Sequence, residues 1–186
     1  MTEPILHPDG FVQYDLPGTR QLHIWSPRLP VAQRVHTPIH DHTFDFRVRV
    51  LTGTLRHNVY AWVPEIDNPT HTLYTARPWL SGDSLRLVTM NESGEMTPLV
   101  ENTFVPGGEY VFKAGWFHES FGEGDITATV MEKTRSHRRE SARIAVPYGQ
   151  EPDNNFPRYP TEETITLMLE LVAVALPLVP VEWVLL

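Results

Sequence analysis

Seventeen prolines and eleven glycines punctuate these 186 residues, and that punctuation limits the chain to short elements. Proline removes a backbone N–H and clashes with the preceding helical turn, so frequent prolines disfavour long helices and suit a turn-rich β fold. Between the breaks, apolar residues recur with a two-residue period. Residues 11–16 and 20–25 read as strands around the turn Pro17-Gly18. Residues 40–51 read as a further strand ended by Gly53, and in 55–63 the side chains of Leu55, His57, Val59 and Ala61 share one phase. Weaker strands are expected near 70–76, 84–90 and 97–100, the last two parted by Asn91–Gly94. Strands at 109–113, after Pro106-Gly107-Gly108, and at 126–132 follow. Many short strands at this spacing predict an all-β sandwich or closed barrel. Residues 30–38 and 133–160 read as loops. The spacing then predicts a helix over 161–176, because Thr161 follows Pro160, Glu162 and Glu163 suit the first turn, and Pro177 stops it. Apolar residues cover most of its circumference, so it must pack on the barrel or on a second copy of the chain, as a homodimer contact. The whole reads as a single domain over 1–186, with the barrel over 11–132 and the helix and tail at its end.

Composition removes several function classes. Without cysteine there is no disulfide, no thiolate metal site and no cysteine nucleophile. Fifteen basic against 23 acidic residues give a net charge of −8, which argues against a nucleic-acid partner, whose binding rests on neutralised phosphates. Lys113 and Lys133 are the only lysines, and Lys133 opens a local basic run to Arg139 that reads as exposed loop. The apolar stretch 165–186 carries Glu170, Glu182, Pro177 and Pro180, so it makes a poor membrane span. Residues 1–10 are polar and lack an apolar signal core, which makes the cytoplasm the expected compartment.

Chemistry concentrates in His40-Asp41-His42. Along a strand, residues two apart point the same way, so both imidazoles can chelate one metal ion. His118, which follows the turn Ala114-Gly115, is the candidate third ligand. Asp45 falls on the opposite strand face, unless a bulge turns it inward as a carboxylate ligand. Glu119 faces away from His118, and Arg47 and Arg49 point outward as solvated or ion-paired groups.

The two blocks resemble the two motifs of the cupin superfamily. The first motif reads G, five residues, H-x-H, three or four residues, E, six residues, G. Here His40-x-His42 is present, Phe46 stands where the glutamate belongs, and Gly53 closes the block. The second reads G, five residues, P-x-G, two residues, H, three residues, N. Here it is matched by Gly108, Lys113-x-Gly115 and His118, with Gly122 at the asparagine position. The resemblance implies a single cupin barrel, a double-stranded β-helix, with a C-terminal helix. It also implies one divalent metal on His40, His42 and His118, with Fe(II) first and Mn, Ni or Zn as alternatives.

Loss of the carboxylate resembles the three-histidine branch that includes cysteine dioxygenase, as do Ile39-His40-Asp41-His42-Thr43 and Leu51-Thr52-Gly53-Thr54-Leu55. Three neutral ligands leave the metal its full charge, which favours a small, anionic, chelating substrate. That branch carries a Ser-x-His-x-Tyr triad on its last strand, whereas this chain offers Thr127, Thr129 and Met131 there. Thr129 and Met131 are then expected to line the substrate pocket, Gln13 to meet a substrate carboxylate, and Trp25 to form a pocket wall. His57 and Tyr60 are the candidate proton carriers, although their opposite strand phases place both inward only with a bulge between them. The expected activity is a mononuclear non-haem iron dioxygenase. The alternatives are a metal-dependent isomerase or lyase and a non-catalytic ligand-binding or assembly module.

Overall fold

The structure, a computed structural model, describes residues 3–7, 9–30, 39–78, 85–137, 141–151 and 160–183. Its strands are β1 (Ile5–Leu6), β2 (Val12–Asp15), β3 (Arg20–Trp25), β4 (Phe44–Pro64), β5 (His71–Pro78), β6 (Leu85–Phe104), β7 (Glu109–Phe112), β8 (Phe117–Ser136) and β9 (Ala142–Pro147). One helix follows, α1 (Glu162–Ala175), then two single 3₁₀ turns at Leu176–Leu178 and Val181–Trp183. All pairings between strands are antiparallel.

Strands β4 and β8 each serve two layers. The first half of β4 pairs with the second half of β8 and with β7 (Phe46 opposite Lys133 and Phe112), and β8 continues this layer to β3, β2 and β1. The second half of β4 pairs with the start of β8 (Val59 opposite His118) and with β6. From β6 the ladder runs to β5 and β9, and His40 bridges both Ile144 of β9 and His118 of β8. The path therefore returns to β8 and encloses a barrel. This is the expected all-β double-stranded β-helix with a C-terminal helix.

The bend in β4 falls at Gly53, whose φ of 73° lies in the left-handed region. A Cβ there would sit 2.3 Å from Thr127 Oγ1, so only glycine lets the two strands cross this closely. Thr127 then ties the corner, donating to Glu123 O at 2.8 Å, with Thr54 O at 3.2 Å, and accepting from Thr54 N.

Alternation on β3 sorts the interior. Leu22 and Ile24 face outward onto a core shared with Val12, Ala128 and Val130, and α1 covers it with Met168, Leu171, Val172 and Ala175. Those helix positions follow the three-and-four spacing of a buried stripe, so α1 packs on its own barrel. Burying Met168, Leu171 and Val172 stabilises the docking by roughly 1.5–3 kcal/mol each. Thr161, read as the first residue of the helix, instead caps it, its Oγ1 accepting from Thr164 N. Gln21, His23 and Trp25 face the other way, into the barrel.

Four expectations need correction. The strand read from residue 40 begins at Phe44, and His40 joins the sheet through bridges alone. The break read at Asn91–Gly94 is a bend inside β6: Asn91 takes a φ of 57° and the register with β5 shifts beside it, so pairing continues. The segment 133–160, read as loop, contains the end of β8 and all of β9. Ala142–Pro147 is a short run whose buried Ala145 and Val146 find a partner in β5 far away in sequence. The basic run is likewise not all loop, because residues 133–136 continue β8 and Lys133 turns inward. Residues 31–38 of the expected loop at 30–38 and residues 138–139 of the basic run lie outside the described residues. No described helix is long and apolar enough to cross a membrane.

Candidate metal centre

Backbone pairing brings the two histidine blocks together. His40 N donates to His118 O and His118 N to His40 O, while Gly115 N donates to His42 O. The side chains of His40 and His42 leave this segment on one side and Asp41 on the other. His40 Nε2 and His42 Nε2 lie 3.2 Å apart, and one nitrogen from each of His40, His42 and His118 falls within a 4.8 Å cluster.

Burial, followed by the field of His40, holds His42 and His118 well below the usual imidazole pKa, so both are neutral near pH 7. A neutral imidazole keeps the lone pair that a metal needs. Both ring nitrogens of His118 are buried with no hydrogen-bond partner. A buried polar atom left unpaired costs about 1–3 kcal/mol, and a coordinated metal removes that penalty for one of them. Three imidazoles suit Fe, Ni, Cu or Zn. The residues present therefore fit a single divalent ion.

No carboxylate of the described residues joins the cluster. Phe46, at the position of the cupin glutamate, packs its ring 5.1 Å from that of His42 and 5.6 Å from that of His118. Asp45 does not substitute for it. Its carboxylate accepts from Lys113 Nζ, Ala114 N and His137 Nε2 on the far side of the strand, and these donors hold its pKa well below the usual value. Arg47 and Arg49 point outward onto Glu132 and Glu109.

The cluster opens on a cavity of about 510 Å³. All four residues expected to meet substrate line it: Gln13, Trp25, Thr129 and Met131. The two expected proton carriers do not. His57 stands behind His118, rings 4.9 Å apart, with Nδ1 2.9 Å from Ser120 Oγ. Burial lowers its pKa to about 4. Tyr60 is turned off the cavity because β4 has no bulge between the two residues: the register shift at Val59 and Tyr60 places the extra residue, Leu99, on β6, and the odd spacing keeps His57 and Tyr60 on opposite faces. Its hydroxyl donates to Glu119 at 2.5 Å, and burial with that carboxylate raises its pKa. Glu119 also accepts from Asn58, which confirms that it faces away from His118.

Among the other residues that reach the cavity are three with titratable side chains, Asp9, His23 and Lys133. Asp9 Oδ2 lies 3.4 Å from His7 Nδ1 and 3.7 Å from His40 Nδ1, so a carboxylate stands beside the outer nitrogen of one cluster member. His23 packs against Phe11 and Trp25, and burial lowers its pKa to about 3. Strand phase could have found two of them: His23 shares the inward phase of Trp25, and Lys133 that of Thr129 and Met131.

No family model and no curated protein matches the sequence. Three solved structures show a distant likeness. Hydroquinone 1,2-dioxygenase PnpCD, in complex with Cd2+ and 4-hydroxybenzonitrile, is 14% identical over 66% of this chain and 61% of its own, with a TM-score of 0.34. Hydroquinone 1,2-dioxygenase from Sphingomonas sp. TTNP3, with 4-hydroxybenzoate bound, is 11% identical over 63% and 60%, with a TM-score of 0.33. E. coli ycfD is 13% identical over 95% of this chain and 43% of its own, with a TM-score of 0.39. The chain thus matches less than two thirds of the length of each.

Proposed function

We propose that His40, His42 and His118 bind one divalent metal, Fe(II) ahead of Mn, Ni or Zn, and that the protein is a mononuclear non-haem iron dioxygenase for a small chelating substrate. The observation that carries this reading is the cluster itself: three imidazole nitrogens within 4.8 Å, with no carboxylate among them, opening on a cavity of about 510 Å³. When bound, the metal supplies the Lewis-acidic and redox-active centre of such chemistry. The protein's own groups then bind and orient the substrate. Phe46, Trp25 and Met131 form an apolar wall that excludes water, and Gln13 and Thr129 offer hydrogen bonds within it. His57 acts on His118 from behind as a positioning residue, fixed by Ser120. A non-oxidative isomerase or lyase needs a proton carrier at the substrate; neither expected carrier, His57 or Tyr60, lines the cavity, so that role would fall to Asp9, His23 or Lys133.

The test is metal analysis of protein purified without chelators, followed by an oxygen electrode. Binding of one Fe(II), lost in His118→Ala, together with oxygen uptake on adding a chelating compound, is the expected result. Metal binding with turnover but no oxygen uptake would replace this reading with the Lewis-acid one. Failure to bind any divalent metal would leave only the non-catalytic module.

A further inference from the structure

The cavity has a second polar region in the layer formed by β2, β3 and β8. Gln13 lies opposite His23, His23 opposite Thr129, and Gln21 opposite Met131. One step further along β8, Lys133 lies opposite Phe46. All seven side chains line the cavity.

Lys133 is unusual here. It is one of two lysines in a chain of net charge −8, and its Nζ sits 4.8 Å from the centre of the Phe44 ring. It makes no ion pair among the described residues, whereas the other lysine, Lys113, pairs with Asp45. On the same cavity wall, two buried ring nitrogens lack partners. Trp25 is 7% exposed with an unpartnered Nε1, and His23 Nε2 is sealed and likewise unpartnered. The charge of Lys133 is felt at His23, where it contributes to the lowered pKa. The one carboxylate lining the cavity among the described residues, Asp9, stands between His7 and His40. Formal charges in the wall thus cancel, and a divalent ion on the histidines would leave the cavity two units positive.

We infer that Lys133, on the cavity wall it shares with His23, is the recognition point for the carboxylate of a ring-bearing substrate. The class is an aromatic or similarly planar carboxylate whose other end carries the chelating atoms. A ring suits the walls, since Phe11, Trp25, Phe44, Phe46 and Tyr110 give flat apolar faces within a volume typical of small-molecule sites. A carboxylate suits the head better than a phosphate. Among the described residues the lining holds one ammonium and no arginine fork, and phosphate sites characteristically recruit such forks. Only the chelating end rests on the metal reading above; the anionic end rests on Lys133.

Calorimetric titration tests this with two probe pairs. Benzoate and benzamide are titrated into metal-free protein, and 3,4-dihydroxybenzoate and 3,4-dihydroxybenzamide into Zn(II)-loaded protein. Each pair differs in charge at nearly constant shape. The carboxylate is expected to bind about tenfold tighter than the amide, the scale of one charge-assisted contact. Lys133→Met should bring that ratio close to one without changing the amide's Kd, and Lys133→Arg should retain the preference. Equal binding of acid and amide to the native protein, a preference that survives Lys133→Met, or no binding of any probe would overturn the inference. Protein that takes up no zinc but still prefers benzoate through Lys133 would overturn the metal reading and support this one.

Discussion

Arg143 grips Asp41 from behind the segment that carries His40 and His42. Its Nε and Nη2 each lie 2.7 Å from Asp41 Oδ2, and its backbone N lies 2.6 Å from Oδ1. Arg143 Nη2 also donates to Gly115 O at 3.1 Å, and the guanidinium rests 4.6 Å from the centre of the Phe117 ring. One side chain from β9 thus ties together the residue between the two histidines and the turn that leads to the third. Asp41 is fully buried, so the pair is one whose rupture strands a charge.

Arg143→Met should therefore lower stability by about 3–5 kcal/mol, the scale for breaking a buried ion pair by removing one partner. Metal affinity should fall by roughly 10–100-fold, as it does when a group orienting ligands is removed. Denaturant titration and competition with a chelator measure the two effects. Native-like values in both would mean that the clamp positions nothing.

His118 gives a prediction with opposite signs in two states. Its two nitrogens are buried without partners, so the metal-free protein carries a desolvation penalty at this position. His118→Leu keeps an apolar side chain of comparable bulk in a site that is 4% exposed. The substitution should stabilise the metal-free protein by about 1–3 kcal/mol. It should also abolish metal binding and the rise in melting temperature that metal addition gives the native protein by mass action. A variant less stable than the metal-free native protein would show that the imidazole earns its place by packing.

Asp45 controls a pH-dependent share of stability. The Ala114 N–H first, then Lys113, and to a smaller extent His137, hold its pKa well below the ordinary value of 3.8 in the folded state. In the unfolded chain it titrates near that ordinary value. Its contribution is therefore fully present above about pH 5 and is lost as pH falls from about 4 towards the depressed folded pKa, because the unfolded state takes up the proton first. Asp45→Asn should be less stable than the native protein at pH 6, and the gap should narrow below about pH 4. Urea midpoints measured from pH 6 to pH 3 check this, and a gap that stays constant down to pH 3 contradicts it.

Much of this was legible in the sequence where one local pattern decided the outcome. Thr161, the acidic pair behind it and Pro177 bounded α1 almost to the residue. The His-x-His spacing and the turn before His118 brought three imidazoles to one point. Patterns that depend on distant partners were harder to read. Ala142–Pro147 is too short to declare itself a strand, and only β5 and the segment at His40 make it one. Asn91 looked like a terminator because it takes a left-handed conformation, yet pairing on both sides carries β6 through it. His57 and Tyr60 differ by an odd number of residues, so a bulge in β4 could have united them; the register shift beside them instead puts its extra residue, Leu99, on β6, and their phases stay opposite. Lys133 was misread because its neighbours in sequence are basic, although its strand phase matches the cavity wall.

Cysteine should be a poor substrate in spite of the Ile39–Thr43 resemblance. Catalysis on a small aminothiol needs groups that hold thiolate, amine and carboxylate at once, and a displacement of about 1 Å can cost roughly a hundredfold. A three-carbon amino acid fills only a small part of a cavity of about 510 Å³, and its far walls are aromatic. The last strand presents Thr129 and Met131, of which one offers a short hydroxyl and the other a weak sulfur acceptor. Gln13 reaches the cavity without a charge to pair with a carboxylate, and charge-assisted bonds are about twice as strong as neutral ones. His23 does bring an imidazole beside Thr129, but it comes from β3 and packs among Phe11 and Trp25. Iron-loaded protein should therefore form cysteine sulfinate slowly or not at all. Sulfinate formation with matching oxygen uptake at about 1 per second or faster, a rate typical of enzymes on their own substrates, would refute this and show that the cavity closes on small thiols.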